Sequence, residues 1–338
     1  MKIIECVPNF SEGRNPSTLA LLESSVKHIP NLKLLSFEAD KDYNRTVVTL
    51  AGNEESILEG AVSITDAAAD SINMRNHIGE HPRLGAVDVV PFVPISDVTM
   101  QECVEISKQY GKIISERHNI PVFLYEEATD NPAHKNLSDI RKGEYEGLKD
   151  KLLLPEWQPD FGPSVFNEKL GGTVTGARFF LIAYNVNLKS TDISFAKEIA
   201  ESLRESGRMK RDANGELIKV DGKSVKEPGR LKCLKGMGVK LDNYGITQVS
   251  MNLTNYNVTS IFTAFEEVKK EAERLGVEVT GSEIVGLTPL EAILAAGRFY
   301  AKGKPYTEND LLELAIESLG LSELNPFDKK NKIIDYLI

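Results

Sequence analysis

The apolar positions of the first 128 residues fall into two alternating spacings. KIIECVPN (2–9), KLLSFEAD (33–40), RTVVTLAG (45–52) and AVDVVPFVP (86–94) are short, largely apolar runs, and each predicts a strand. The second and third are joined by a short polar turn, DKDYN. Between the strands, Leu19, Leu22, Val26 and Ile29 recur at helical spacing, as do the apolar positions 57, 58, 61, 62 and 64 behind Asn53, a helix-capping residue type. A further helix is predicted over about 98–117, followed by a strand at IPVFLYEEA (120–128).

The second half repeats the order. RFFLIAYNVNL (178–188) predicts a strand and ISFAKEIAESLRES (193–206) a helix. LKCLKGMGVKLD (231–242) and ITQVSMNLTN (246–255) predict strands. SIFTAFEEVKKEAERL (260–275) predicts a helix closed by Gly276, and VEVTGSEIVGL (277–287) a last strand. Each half thus reads strand, helix, strand, strand, helix, strand, the split β-α-β order of the ferredoxin-like motif. The expected fold is α/β (α+β), with two ferredoxin-like sandwich subdomains. The expected boundaries are 1–177 for the first subdomain with a linker at its end, 178–300 for the second, and 301–338 for a helical tail. The two glycines of KGMGVK (235–240) read as a strand bulge or a close backbone approach.

Two segments fall outside this plan. Residues 128–177 hold NPAHKN, an amphipathic run RKGEYEGLKDKL, and then LPEWQPDFGPSVFNEKLGGTVTG, which is rich in Pro and Gly and carries the single Trp. A loop of that length is functional or disordered, and its aromatic content favours a binding loop. RMKRDANGELIKVDGKSVKEPGRLK (208–232) contains the hairpin-type pairs Asn214-Gly215 and Asp221-Gly222. Residues 208–240 carry ten Lys or Arg against four acids, in a chain whose formal net charge is −10. They read either as a solvated hairpin or as a basic rim for an anionic substrate.

Composition narrows the function classes. At 41% apolar and 27% charged, the sequence is that of an ordinary globular protein. The acidic balance argues against a nucleic-acid binder. Cys6, Cys103 and Cys233 are widely spaced and form no C-x-x-C. The start, MKIIECVPNF, has too short an apolar run for a signal peptide, and no stretch approaches a membrane span. A reduced cytoplasmic protein is expected. No G-x-x-x-x-G-K-[ST] or G-x-S-x-G occurs, so neither ATP chemistry nor a serine nucleophile is indicated.

The candidate chemistry concentrates in HIGEHPRLGAVDVVPFVP (77–94). His77, Glu80 and His81 are ordered H-x-x-E-H, a zinc-protease signature that needs both histidines on one helical face. Gly79 interrupts any helix, and Pro82 pushes His81 out of the helical region. A metal site is therefore not expected. The alternative is a histidine at a strand entry, held on a rigid support and suited to proton transfer near neutral pH. His81 fits that role, and His77 better fits a histidine bonded to the backbone.

With ECVPNFSEGR (5–14), NRTV (44–47), GEHPRLGAVDVVPFVP (79–94), PVFLYEEA (121–128), WQPDFGPS (157–164) and VGLTPLEAIL (285–294) in order, the chain resembles the formiminotransferase family, collinearly from about residue 3 to 298. The resemblance implies transfer of a formimino group between N-formimino-L-glutamate and tetrahydrofolate, giving 5-formiminotetrahydrofolate and glutamate. It also implies two α/β subdomains with a folate cleft or tunnel between them, and a homodimer. The family's catalytic histidine falls on His81 of GEHPR. Its folate-contacting segment falls on Gly162, Pro163, Ser164, Val165, Phe166, Asn167, Glu168, Lys169, Leu170 and Gly171, although NEKLG departs from the animal pattern. An acid ahead of NRT falls on Glu38 by ungapped spacing, with Asp40 and Asp42 in competition. Tetrahydrofolate is the implied co-substrate, with neither metal nor nucleotide. Arg45 or Arg83 would bind a substrate carboxylate, or would pair with a neighbouring acid. Animal members continue into a cyclodeaminase domain, for which this chain ends too soon, so that second activity is expected to be absent. Two alternatives remain open: formyl transfer or 5-formyltetrahydrofolate metabolism on the same folate site, and a folate-binding protein without turnover.

Overall fold

The computed structural model describes residues 2–212, 216–220 and 223–338. The chain divides into two compact units, one running to residue 179 and including residue 338, the other spanning 180–337.

In the first unit, β1 (Ile3–Cys6) and β2 (Asn9–Phe10) form one strand line interrupted at Val7-Pro8, where proline has no N–H to give to a ladder. β3 (Leu32–Asp40), β4 (Arg45–Gly52) and β5 (Val87–Ser96) join it antiparallel, in the spatial order β3–β4–β1/β2–β5. α1 (Pro16–Val26) and α2 (Glu54–Ser71) make the two crossovers. Both begin as their sequences dictate: the side chains of Asn15 and Asn53 accept the first free helical N–H groups. α3 (Met100–His118) starts on a full capping box of Thr99 and Glu102. β6 (Val122–Glu126) and β7 (Thr173–Ala177) extend the sheet beyond β5 in the order β5–β7–β6, all three parallel.

The two faces of this sheet differ. On one, Ile4, Cys6, Val48, Leu50, Val90, Phe92 and Leu124 pack against Leu22, Ile57, Ile64, Cys103 and Tyr110 of the three helices. On the other, only part is covered by apolar groups: Ile140, Leu148 and Leu152, from α4 (Leu137–Ile140), α5 (Glu144–Lys151) and the residue after it, pack on Val89, Phe123, Tyr125 and Val174. The rest of that face, over β2, β3 and β4, carries Asn9, Glu38, Asp40 and Arg45. This follows from the cross-strand pairs Asp40–Arg45 and Glu38–Val47 and from the two-residue period of a strand.

β7 lies in the stretch expected to be an irregular junction. Its five residues, TVTGA, are small and entirely buried between two parallel neighbours. A short strand buried on both faces has no alternation to reveal it in the sequence.

The second unit has the same order of elements. β8 (Ile182–Leu188) is followed by α6 (Ile193–Leu203). Two short two-residue pairings come next: β9 (Arg208–Met209) with β12 (Lys226–Glu227), and β10 (Lys219–Val220) with β11 (Lys223–Ser224). β13 (Leu234–Leu241), β14 (Ile246–Leu253), α7 (Ile261–Leu275) and β15 (Val279–Val285) complete a four-stranded antiparallel sheet in the order β13–β14–β8–β15. This is the ferredoxin-like arrangement, also seen in the first four strand lines of the first unit. The turn pairs Asn214-Gly215 and Asp221-Gly222 lie outside the described residues. The glycines of KGMGVK break no register. A Cβ at Gly238 would sit 2.7 Å from the backbone nitrogen of Lys197, so the residue permits close approach of α6. Beyond β15, α8 (Leu290–Ala301) and α9 (Glu308–Leu319) pack on each other across Gly297, and α10 (Lys329–Lys332) follows. The segment from 301 to 337, expected as a separate tail, is thus part of the second unit. Among the described residues, no helix is long and apolar enough to cross a membrane.

Candidate active site

Asn44 organises the polar corner of the first unit. It takes a left-handed backbone conformation (φ 50°) at the end of the β3–β4 turn. Its Oδ1 accepts the Gly13 N–H at 2.9 Å, and its Nδ2–H donates to the Ile78 carbonyl at 3.0 Å. Its own carbonyl accepts from His77 Nε2–H at 3.1 Å. The loops at Gly13 and at His77-Ile78 are thereby tied to one residue of the β3–β4 turn. Gly79 closes the junction, because a Cβ there would stand 2.4 Å from the Tyr43 carbonyl. That contact is the structural reason for a glycine between the two histidines.

His81 emerges next to this junction. Its Nδ1–H donates to the Pro82 carbonyl at 2.7 Å, which leaves Nε2 as the acceptor; Nε2 takes a hydrogen bond from Arg45 Nη1–H at 2.9 Å. The Tyr43 ring meets the imidazole edge-on, with centroids 6.1 Å apart. Arg45 is held from behind by Asn9, whose Oδ1 accepts from Nη2–H and whose Nδ2–H donates to the Val7 carbonyl at 2.8 Å. The result is a fixed chain from Asn9 through Arg45 to His81.

Electrostatics keep the imidazole neutral. Burial pushes the His81 pKa down to about 4, and the positive charges of Arg45 and Arg141 add to the effect, while Asp88 opposes it. Asp88 is buried on β5. Its Oδ1 accepts the Leu84 N–H at 2.9 Å, and its carboxylate pairs with Arg141 at the end of α4. The His77 pKa is also lowered, chiefly by burial.

The H-x-x-E-H spacing is therefore explained without a metal. His77 gives one ring nitrogen to Asn44, and the other accepts from Arg83 Nε–H at 3.3 Å. Among the described residues, no group of three or more His, Cys, Asp or Glu is placed to hold a metal ion.

The other sequence-predicted residues divide sharply. Arg83, one of the two arginines expected to bind a substrate carboxylate, is instead consumed by the fold. Its buried guanidinium makes a two-pronged pair with Glu146, at 2.9 and 2.6 Å, and a further bond to Glu144 at 2.7 Å. Asp40 shares a sheet face with Arg45, but its Oδ1 accepts the N–H groups of Asp42 and Tyr43 at 2.8 and 2.9 Å and so shapes the turn. Glu38 is exposed two positions along the same face, and its carboxylate has no partner among the described residues. The Asp42 carbonyl accepts from Arg14.

The segment 162–171 docks beside the histidine loop. Lys169 carbonyl accepts the Met74 N–H at 2.8 Å, Leu170 carbonyl accepts the Ala86 N–H at 2.8 Å, and Glu168 pairs with Arg75 at 2.8 Å. Gly171 bridges to Gly85 at a φ of +70°, with no room for a side chain. Its second half is mostly anchored. Asn167 Oδ1 caps the N–H groups of Lys169 and Leu170, Lys169 Nζ donates to the Ala69 carbonyl, Leu170 is buried, and Phe166 packs against Tyr145. Gly162, Ser164 and Val165 are exposed, flanking the half-buried Pro163, and Val165 is 63% exposed.

Asn9, Asp88 and Arg141 escaped the sequence reading. Asp88 had a signal, a lone charge inside an apolar strand run. Asn9 and Arg141 had none, because their roles depend on which distant residues the sheet brings to them.

A two-unit α/β protein thus carries a histidine fixed between a carbonyl and a guanidinium on the polar side of its first unit. The comparisons with known proteins supply the family. The model described as "Formiminotransferase domain, N-terminal subdomain" matches residues 3–178, and "Formiminotransferase domain" matches 183–338. The chain belongs to the formiminotransferase family. It is 49% identical to a formimidoyltransferase-cyclodeaminase of Dictyostelium discoideum, covering all of this chain and 60% of that protein. It is 42% identical to a glutamate formimidoyltransferase of Streptococcus pyogenes serotype M1, over 92% of this chain and 99% of that one. A glutamate formimidoyltransferase of Thermoplasma acidophilum is 38% identical over 94% of this chain and 98% of its own length. The chain thus spans about 60% of the first-mentioned relative and nearly all of the other two.

Proposed function

We propose that this protein transfers the formimino group between N-formimino-L-glutamate and tetrahydrofolate, with His81 as the proton carrier. The observation that carries the proposal is the His81 imidazole. It is neutral, tautomerically fixed by Pro82, and partly exposed on a polar sheet face in a chain of this family. N5 of the folate attacks the formimino carbon and forms a tetrahedral adduct. The new N5–C bond requires N5 to lose its proton, and breaking the old C–N bond requires the departing glutamate nitrogen to gain one. His81 takes the first proton and delivers the second. Glu38 lies on the face that carries Arg45 and is assigned to stabilising the amidinium-like charge, since one Asp40 oxygen is engaged in the turn. Arg45 is assigned to a substrate carboxylate. Of the folate segment, Gly162 to Val165 is assigned to folate contact, because it is the more exposed part and Val165 points outward, although Ser164 Oγ–H donates to the Leu152 carbonyl at 2.9 Å. The step needs proton transfer and charge stabilisation only, so neither metal nor nucleotide enters it.

The test is a spectrophotometric assay with tetrahydrofolate, offering either the formimino or the formyl derivative of glutamate as donor. Turnover with the formimino donor supports the proposal. Turnover confined to the formyl donor, or folate binding without turnover, overturns it. Because burial and two arginines lower its pKa, His81 stays unprotonated to unusually low pH. The acid limb of kcat/KM is therefore expected near pH 4 rather than near the ordinary histidine value of about 6.5. A limb at the ordinary value, after allowance for substrate ionisation, would contradict this environment.

The family resemblance further supports a cytoplasmic homodimer. Sedimentation is expected to give twice the 37.4 kDa of one chain, and a single-chain mass would refute the dimer.

A further inference from the structure

Arg45 stands apart from the other arginines around the histidine loop. Arg83 and Arg141 each face carboxylates, and Arg14 donates to three backbone carbonyls. Arg45 is half-buried, and among the described residues it makes no ion pair within salt-bridge distance. Its hydrogen-bond partners are a neutral imidazole and an amide oxygen, and its Nε is buried without a partner. Asp40, opposite it in register, spends one oxygen on the turn. Asp88 and Asp40 act on Arg45 only through space, and a guanidinium removed from water without a bonded carboxylate carries a standing preference for an anion. It also has more N–H donors than these contacts use.

The same side chain obstructs the proposed chemistry. A general base needs a free lone pair within reach of the proton it takes. The only lone pair on the neutral His81 ring is at Nε2, and Arg45 Nη1–H occupies it. We infer that Arg45 is both the seat of a carboxylate of the formimino donor and the gate on His81: the arriving carboxylate draws the guanidinium away from Nε2 and so releases the base. This rests on the proposed transfer reaction for the identity of the anion. Asn9 is the pivot. Its amide is fixed by the Val7 carbonyl, so Arg45 can stay bonded to Asn9 while Nη1 turns to the carboxylate. The charged groups that act on His81 are Arg45 from β4, Asp88 from β5 and Arg141 from α4, with the Tyr43 ring against its edge. Asp88 and Arg141 already hold each other. Arg45 is thus the one whose charge a ligand can neutralise. Coupling donor binding to release of the base keeps the protein from activating the folate amine before there is a group to transfer.

The test follows the ring resonances of isotope-labelled His81 as the pH is lowered, without and with saturating L-glutamate, which carries the donor's carboxylates. Without ligand, His81 is expected to be neutral at pH 5. With glutamate, its midpoint is expected to rise by at least about one pH unit, a tenfold gain in proton affinity. Arg45→Gln should raise the midpoint without ligand and abolish the response to glutamate, and Arg45→Lys should restore part of both. The wild-type titration decides the matter even if a variant fails to fold. Glutamate that gives a calorimetric binding signal yet leaves the midpoint unmoved overturns the inference, as does glutamate that does not bind. The two proposals fail separately. A moving midpoint without formimino transfer keeps the gate and removes the reaction. Transfer with an unmoved midpoint keeps the reaction and removes the gate.

Discussion

His81→Ala is expected to lower kcat for formimino transfer by about 10²–10⁴-fold, the range that general acid–base groups supply. The fold should survive. The ring sits at the edge of a loop, and its two hydrogen bonds run to the neighbouring Pro82 carbonyl and to Arg45. Both partners remain in place when the ring is removed. Circular dichroism separates the two effects, since a folded variant with lost turnover places the defect in the chemistry. A folded variant within a few-fold of wild type would remove His81 from the proton path, and a water or Glu38 would have to take its place.

The largest stability effect is expected at Asp88, a residue that does no chemistry in this account. Asp88→Asn retains an oxygen to accept the Leu84 N–H but removes the negative charge that faces Arg141. The Asp88 side chain is 4% exposed and that of Arg141 14%, so the change leaves a largely buried cation without its partner. Breaking a buried pair from one side costs about 3–5 kcal/mol, which a urea titration reads as a lower midpoint. The same substitution removes the carboxylate that raises the His81 pKa, while Arg45 and Arg141 continue to lower it. The acid limb of kcat/KM should therefore move to still lower pH. The sign is set by charge: losing an anion near an imidazole disfavours its protonated form. An unchanged denaturation midpoint would mean that Arg141 finds another partner. A limb that moves upward would mean that Asp88 does not act on His81.

Much of this arrangement was legible in the sequence, for reasons that can be named. The ferredoxin-like order in each half could be read because its strands run apolar between marked turns, and its helices carry end signals such as Asn53 and Gly276, both of which cap helices in the structure. Pro82 and Gly79 argued against a helix at the histidine motif, and both histidines prove to bond backbone carbonyls, His77 that of Asn44 and His81 that of Pro82. β7 was hidden because TVTGA is short, small and buried on both sides. The choice between Arg45 and Arg83 was beyond the sequence. Arg83 lies in the histidine motif and Arg45 in NRTV, and only the fold brings Glu144 and Glu146 to the first and, among the described residues, no acid within pairing distance to the second. The segment 162–171 reads as a single binding loop, yet its second half anchors the chain to Ala69, Met74 and Ala86, while its first half is more exposed and is tied down at Ser164. Asn9 and Arg141 complete the site from the far ends of the unit, where local pattern carries no information about distant partners.

The central claim is that the formimino group moves intact from a glutamate nitrogen to a folate nitrogen. Isotope tracing tests it most directly. N-formimino-L-glutamate carrying ¹⁵N only in its formimino nitrogen is mixed with tetrahydrofolate and the purified protein, and the folate product is weighed by mass spectrometry before acid treatment. This account predicts 5-formiminotetrahydrofolate that retains the label, formed by the wild type and slowed in His81→Ala. A one-carbon folate without the label, or unchanged tetrahydrofolate beside intact donor, would contradict it.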